Sequence, residues 1–176
     1  LKVYRQTLFW FEIAKESQAN YAVGKFPPFI WAGGPKGNMY GFPMVEGNFI
    51  KIGAETFIKD TTPCSVNRTV SDAEVTAMYE NHIKPNFIGI TPNCLKKATC
   101  LYTVAPGHRF MIDYLPNFDN CVIVVSACSG HGAKHSAAVG EAVAQLSLLG
   151  NASIDVIKLF GGFRTKPAPV GPALTY

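Results

Sequence analysis

The sequence holds little charge and few cysteines. Only 16% of its 176 residues are charged while 48% are apolar, which excludes wholesale disorder and implies a sizeable buried core in one domain or slightly more. Sixteen Lys and Arg stand against twelve Asp and Glu, a net charge of +4 without a long basic run. That balance leaves no electrostatic footprint for a nucleic-acid partner. No apolar run approaches the roughly 18 residues of a membrane-spanning helix, so no membrane partner is expected. The five cysteines are odd in number, form no CxxC and keep no zinc-ligand spacing with histidine. This argues against a disulfide framework and a structural metal, and for a reducing compartment, with the cytoplasm as default. Asn67 and Asn151 open Asn-x-Ser/Thr tripeptides, which are common by chance. The chain also lacks a G-x-G-x-x-G fingerprint and a Walker-type phosphate loop. A nucleotide site would therefore need a phosphate-binding half from outside these residues. Leu1 opens directly on a strand-like run with no signal-peptide pattern, and the expectation is the later part of a longer protein.

What is present reads first as sheet. The run 3–13 is rich in β-branched and aromatic residues and predicts a strand. Residues 25–31 (KFPPFIW) carry two prolines and fit a sheet edge or a strand entry. AGGPKGN makes a turn, and strands resume at 39–43 and 48–54, together an antiparallel meander. A helix is predicted over 72–83, capped by Ser71 with Glu74 completing a capping box and ended by Pro85. Further strands fit 98–104 and 109–112. The tail from Thr165 carries three prolines among small residues and predicts loose order.

The stretch 120–150 is the most informative. Residues 121–125 are continuously apolar, as in a strand covered on both faces, and Cys121 and Cys128 read as small core residues. Ser129, Gly130, His131 and Gly132 make a tight turn. Val139, Ala142, Val143, Leu146 and Leu149 then repeat at helical intervals, and Gly150 supplies a stop. A strand, a glycine turn and a helix direct free N–H groups and a positive helix end at an anionic or electron-rich atom. The same unit also occurs with no ligand at its turn.

Four side chains each admit two readings. Lys134 stands near the helix start, where a cation opposes the macrodipole; it meets a substrate carboxylate, or it is a solvated surface lysine. Lys51 lies inside the strand NFIKIGAETF. With Ile50 and Ile52 in the core it faces solvent, and over a cavity it is a half-buried cation with a strong field. Glu55 falls on the Lys51 face or just past a bend at Gly53. Cys100 is an ordinary strand cysteine, or a thiolate that attacks an electrophile such as a cofactor ring.

Read together, MYGFPMVEGNFIKIG (39–53), TCLYTVAPGHRFMIDYLP (99–116) and SACSGHGAKHSAAVGE (126–141) resemble, in matching order, the monomeric sarcosine oxidase and N-methyltryptophan oxidase family of FAD-dependent amine oxidases. The opening LKVYRQ resembles the family's entry into its substrate-domain sheet. The resemblance implies an α+β fold: a mixed or antiparallel substrate-domain sheet, plus a strand–turn–helix of an FAD-binding, Rossmann-like domain whose amino-terminal part is missing. It implies a substrate domain at 1–106, the carboxy-terminal part of the FAD-binding domain at 107–160, and a tail at 161–176.

Residue by residue, Cys100 matches the cysteine joined covalently to the flavin 8α-methyl carbon. Lys51 matches the lysine whose charge near flavin N5 promotes oxygen reduction. Tyr40 and Tyr102 match aromatic residues of the substrate pocket, and Lys134 matches the lysine that pairs with the substrate carboxylate. Gly130, His131 and Gly132 match the turn facing the flavin N1 and C2-carbonyl edge, with Ala133 following. The resemblance implies oxidation of a secondary or N-substituted amino acid to an imine, with O2 reduced to hydrogen peroxide. The partners it implies are a small amino-acid substrate, O2 and the missing FAD-binding part; this stretch alone would be inactive.

The chain departs from the pattern in three places. Glu55 stands where sarcosine and N-methyltryptophan oxidases carry a histidine and fructosyl amino acid oxidases a glutamate, which favours a larger substrate or a deglycating activity over sarcosine. Cys128 and Ala133 replace the aromatic residues of the GFSGHGFK version, which widens the pocket or removes packing beside the flavin. One extra residue falls between Cys100 and Lys134, assigned to the loop 116–120. A catalytically incomplete fragment and an ordinary α/β binding domain are the readings from other classes.

Overall fold

Alternation along the opening run decides the architecture. In the computed structural model, which describes residues 1–57, 60–150 and 152, Lys2–Ile13 form strand β1 with Phe9, Phe11 and Ile13 buried. Leu8, Trp10 and Glu12 therefore take the opposite face. Five further strands join it: β2 (Phe29–Trp31), β3 (Met39–Phe42), β4 (Phe49–Ala54), β5 (Asp60–Thr61) and β6 (Ile90–Val104). The chain divides into two compact units among the described residues, one of residues 4–101, the other of residues 1–3 with 102–150.

The sheet runs in the order β2-β3-β4-β1-β5, with β6 also paired to β1. The Pro-bearing piece sits at its edge as expected, and β2, β3 and β4 form the antiparallel meander. β1 does not precede β2 in that order. It lies antiparallel to β4, with Phe9 opposite Ile52 and Phe11 opposite Ile50. That pairing sets four fully or nearly fully buried side chains side by side on one face, an apolar gain that sequence-adjacent pairing would forgo. Val70, Met78, Ile83 and Ile90 close the same core.

Helix α1 (Asp72–Met78) starts on the predicted capping box: Ser71 accepts from the Glu74 N–H, and the Glu74 carboxylate accepts from the Ser71 N–H. It continues as a wider turn over Tyr79–Ile83, where the Lys84 N–H reaches the Tyr79 carbonyl at 2.9 Å just before Pro85. β6 begins eight residues before the strand expected from 98. Pro92, Asn93, Lys96 and Lys97 gave that half a loop-like composition, and their exposure explains why it could stay polar.

In the other unit, β7 (Met111–Tyr114) and β8 (Ile123–Ser126) form an antiparallel pair. β7 starts two residues later than predicted, after Gly107 and His108, both at positive φ. The strand expected at 121–125 is not covered on both faces: among the described residues β8 pairs only with β7, and Val125 is exposed. Cys121 and Cys128 are exposed too, not core. Each sits in a turn, Cys121 before β8 and Cys128 after it, where alternation no longer points a side chain inward. Helix α2 (Ser136–Leu149) buries Ala142 and Leu146 and stops at Gly150, whose φ of 71° and N–H to the Leu146 carbonyl make the expected left-handed cap. Asn151 and the tail from Thr165 lie outside the described residues.

Candidate functional site

Register, not proximity in sequence, builds the first group of candidate residues. Ile50 and Ile52 are fully buried, so Lys51 takes the opposite, open face of β4. Its direct cross-strand neighbours there are Trp10 on β1 and Phe42 on β3. The Lys51 ammonium stands 5.4 Å from the ring centroid of each, within cation–π range. This is neither of the two expected environments in pure form: Ile50 and Ile52 are core, yet Lys51 is half-buried among rings.

Tyr40 occupies the same open face, opposite Gly53. A Cβ at Gly53 would come within 2.9 Å of the Tyr40 ring, so the glycine lets the phenol lie flat over β4. Burial, with the Cys100 and Glu55 charges adding to it, pushes the Tyr40 hydroxyl up to about 12. Tyr40 is thus a neutral hydrogen-bond donor at any physiological pH. Glu55 follows the end of β4; its N–H donates to the Asn38 carbonyl at 3.0 Å, and its carboxylate accepts from the Asn38 amide. The half-buried Cys100 thiol on β6 is pushed up by burial and drawn down by the Lys51 charge. Tyr40, Lys51, Glu55 and Cys100 therefore belong to one electrostatic neighbourhood in the unit of residues 4–101.

The remaining candidates belong to the other unit. Ser129 and Gly130 take φ of 46° and 79° in succession, and the turn is tied down at Ser129. Its N–H reaches the Thr103 carbonyl at 2.8 Å, and its hydroxyl accepts from the Ala105 N–H and donates to the Arg109 carbonyl. The Tyr102 hydroxyl donates to the Ser129 carbonyl at 3.2 Å. A Cβ at Gly130 would overlap the Tyr102 phenol, and one at Gly132 the Ala127 carbonyl. Both glycines are required by close packing within the turn itself. His131 stacks on Phe110 at 4.6 Å and 21°, with a ring nitrogen 3.2 Å from the His108 carbonyl. Ala133 and Lys134 are exposed on a 3₁₀ turn, Ala133–His135, that leads into α2. Lys134 is thus at the helix start as expected.

The sequence reading missed Trp10 and Phe42. The β1–β4 register, which joins residues some forty apart, makes Trp10 a neighbour of Lys51, and the β3–β4 register of the meander does the same for Phe42. A cavity of about 690 Å³ opens on the other face of the sheet, lined by Arg5, Phe9, Glu74, Met78 and His82 among others. None of the predicted site residues lines it. There Arg5 is engaged by the Glu74 carboxylate at 2.5 Å and by the Asn67 and Thr69 carbonyls.

No family model matches the chain. Among curated proteins, the monomeric sarcosine oxidase of Streptomyces avermitilis is 34% identical over 174 residues, 95% of this chain and 43% of that relative. The monomeric sarcosine oxidase of a Bacillus species is 32% identical over 89% of this chain and 40% of its own length. The N-methyl-L-tryptophan oxidase of Salmonella arizonae is 29% identical over 86% and 40%. The chain thus spans about two fifths of the length of the curated relatives it matches. In fold it is similar to NikD, an unusual amino acid oxidase essential for nikkomycin biosynthesis, with a TM-score of 0.67 at 15% identity over 95% of this chain and 44% of that one. It is also similar to Amadoriase I, a fructosyl amine:oxygen oxidoreductase from Aspergillus fumigatus, with a TM-score of 0.58 at 16% identity over 83% and 34%.

Proposed function

From a chain homologous over most of its length to monomeric sarcosine oxidases and N-methyl-L-tryptophan oxidases, we propose a part of an FAD-dependent amine oxidase that converts a secondary or N-substituted amino acid to an imine while O2 becomes hydrogen peroxide. The amino-terminal FAD-binding part would lie outside these residues, in the share of the relatives the chain does not span. The observation that carries the reading is Lys51: a half-buried cation on an open sheet face, between two aromatic rings and within electrostatic reach of the Cys100 thiol.

That face suits a flat, electron-rich ring system. Trp10, Tyr40 and Phe42 supply apolar area, Gly53 leaves room above β4, and Lys51 supplies one positive charge. Bound there, flavin would supply the acceptance of a hydride equivalent from the amine and the delivery of two electrons to oxygen. The chain's own residues do the rest. Lys51 holds a positive charge where oxygen becomes negative, a contribution of several kcal/mol in a site closed to water. Tyr40, kept neutral, donates a hydrogen bond without adding charge. Cys100 is the candidate for covalent attachment, the step that would need its thiolate and that Lys51 favours. Lys134 is the candidate partner of the substrate carboxylate, and the Gly130–Gly132 turn with α2 is the candidate partner of the electron-rich flavin edge. Tyr102 keeps its place as a pocket-lining candidate beside that turn. Water then hydrolyses the imine.

Glu55 directs the choice of substrate. It places a carboxylate beside Tyr40, which fits an amine bearing hydroxyl or further cationic groups better than sarcosine, and a deglycating substrate falls in that class. In the intact protein, a panel of secondary amines with peroxide detection should find a substrate larger than sarcosine; exclusive use of sarcosine would refute this. Lys51→Met should slow reoxidation by oxygen by roughly a hundredfold or more and leave flavin reduction within about twofold. Equal slowing of both half-reactions would remove the role. Cys100→Ser should yield denatured protein that is colourless and lighter by one FAD.

A further inference from the structure

Four side chains form a row across four strands of the open face: Phe42 on β3, Lys51 on β4, Trp10 on β1 and Lys96 on β6. Phe42 and Trp10 are the register partners of Lys51 on either side. The Lys51 ammonium is 5.4 Å from each ring centroid, and the Lys96 ammonium is 4.9 Å from the Trp10 ring. Among the described residues Lys51 makes no ion pair. Two carboxylates of the same sheet region are otherwise engaged: Glu12, two residues beyond Trp10 on β1, accepts from the Asn48 and Asn93 amides at 3.0 Å each, and Glu55 accepts from Asn38.

We propose that Trp10 is the positioning residue of Lys51, with Phe42 as the second wall of an aromatic clamp that holds the ammonium in place without neutralising it. The proposal rests on the oxidase reading of Lys51 and deepens it. A lysine stem has four rotatable carbons and loses considerable rotamer freedom when its head is fixed. A carboxylate partner would fix the head, yet it would cancel the charge whose field the reaction needs. A ring face attracts the cation through its quadrupole and carries no net charge, so two of them aim the ammonium and leave its field intact. Indole is the better of the two ring types for this, which ranks Trp10 above Phe42. Lys96 shares the Trp10 ring but is exposed, and it lies outside the clamp.

The test uses the intact flavin-loaded protein and separates the two half-reactions by stopped flow. Trp10→Leu should slow reoxidation roughly tenfold and leave reduction within about twofold, while Trp10→Phe should recover most of the loss. Phe42→Leu should have the same signature at roughly threefold, and Lys96→Met should change either rate by less than about twofold. An independent readout comes from reductive ¹³C-methylation, which keeps lysine charged. The dimethyl resonance of Lys51, identified by its loss in Lys51→Met, should lie upfield of exposed lysines through the indole ring current and move to their position in Trp10→Leu. An unshifted Lys51 resonance in the unsubstituted protein, or a Trp10→Leu protein that slows both half-reactions alike, would overturn the proposal. A Lys51→Met protein with undiminished reoxidation would instead overturn the oxidase reading beneath it, a result distinct from Lys51-dependent reoxidation that ignores Trp10.

Discussion

The two units solve the problem of holding a side chain in opposite ways. Residues 4–101 build a sheet with one covered face, on which Phe9, Phe11, Ile13, Ile50, Ile52, Met78 and Ile83 form a continuous core. The other face is left open, and the register alone fixes what stands on it. Residues 102–150 bury far less. Phe110, Ile112, Ala142 and Leu146 are covered, while Val125, Leu148 and Leu149 are exposed, the last two at 83% and 70%. Its candidate residues are held by a strained turn, with Ser129 at positive φ and Gly130 and Gly132 pressed against Tyr102 and Ala127. A core tolerates change on its open face and punishes it inside; a turn of this kind punishes a single methyl group.

The largest effect should come from the core. Ile52→Ala removes a side chain with no exposure, beside Phe9, and should cost about 2–5 kcal/mol of unfolding free energy, read by urea denaturation. The counterpart in the other unit, Leu146→Ala, takes away a side chain that is 8% exposed and stands outside that core cluster, and should cost less than half as much. Equal costs would mean that the smaller unit owns a core as substantial as the sheet's, and the contrast would fail.

Next comes the turn. Gly130→Ala adds a methyl group that overlaps the Tyr102 phenol, at a backbone φ of 79°. About 1–3 kcal/mol should be lost, and the Tyr102 hydrogen bond to Ser129 with it. Pairing the change with Tyr102→Ala should restore about half of the loss, because the overlap is gone and the backbone strain is not. A double variant no better than the single one would place the whole cost in the backbone.

How much of this could be read from residues alone depends on how local the cause is. The Ser71–Glu74 capping box, the Gly150 stop and the edge position of the piece that Pro27 and Pro28 lead into are set within a few residues, and all were legible. So was the face of Lys51, since Ile50 and Ile52 left it only one. Its neighbours were not: Trp10 depends on the β1–β4 register and Phe42 on the β3–β4 register, and a register is decided by the whole buried face rather than by any short motif. The apolar run before Ser126 suggested burial on both sides, yet apolar composition does not say what covers a strand. Cys121 and Cys128 were misjudged for the same reason. The polar first half of β6 hid behind Pro92 and Asn93, residues that signal a loop unless the strand they belong to is solvated.

The smallest expected effect is an electrostatic one inside the larger unit, at the junction of sheet and helix. The Arg5 guanidinium beside Glu74 holds its carboxyl down at about 2, with the Ser71 N–H and hydroxyl assisting. Since the folded carboxyl binds its proton less readily than the unfolded one, this stability is fully present above the ordinary glutamate range near 4.5 and is lost as pH falls from there toward 2. The Glu74 side chain is 35% exposed, so solvent screening reduces the contribution to about 1–2 kcal/mol. Urea denaturation of residues 4–101 within the intact chain should show that decline between pH 4.5 and pH 2. Glu74→Gln should reduce the slope, leaving the share of Asp72, which Lys97 also holds down, and lower stability near neutral pH, because the amide keeps part of the capping role and none of the charge. If the acid slope were unchanged by the substitution, the ion pair between β1 and α1 would be a surface contact with no share in holding the helix to the sheet.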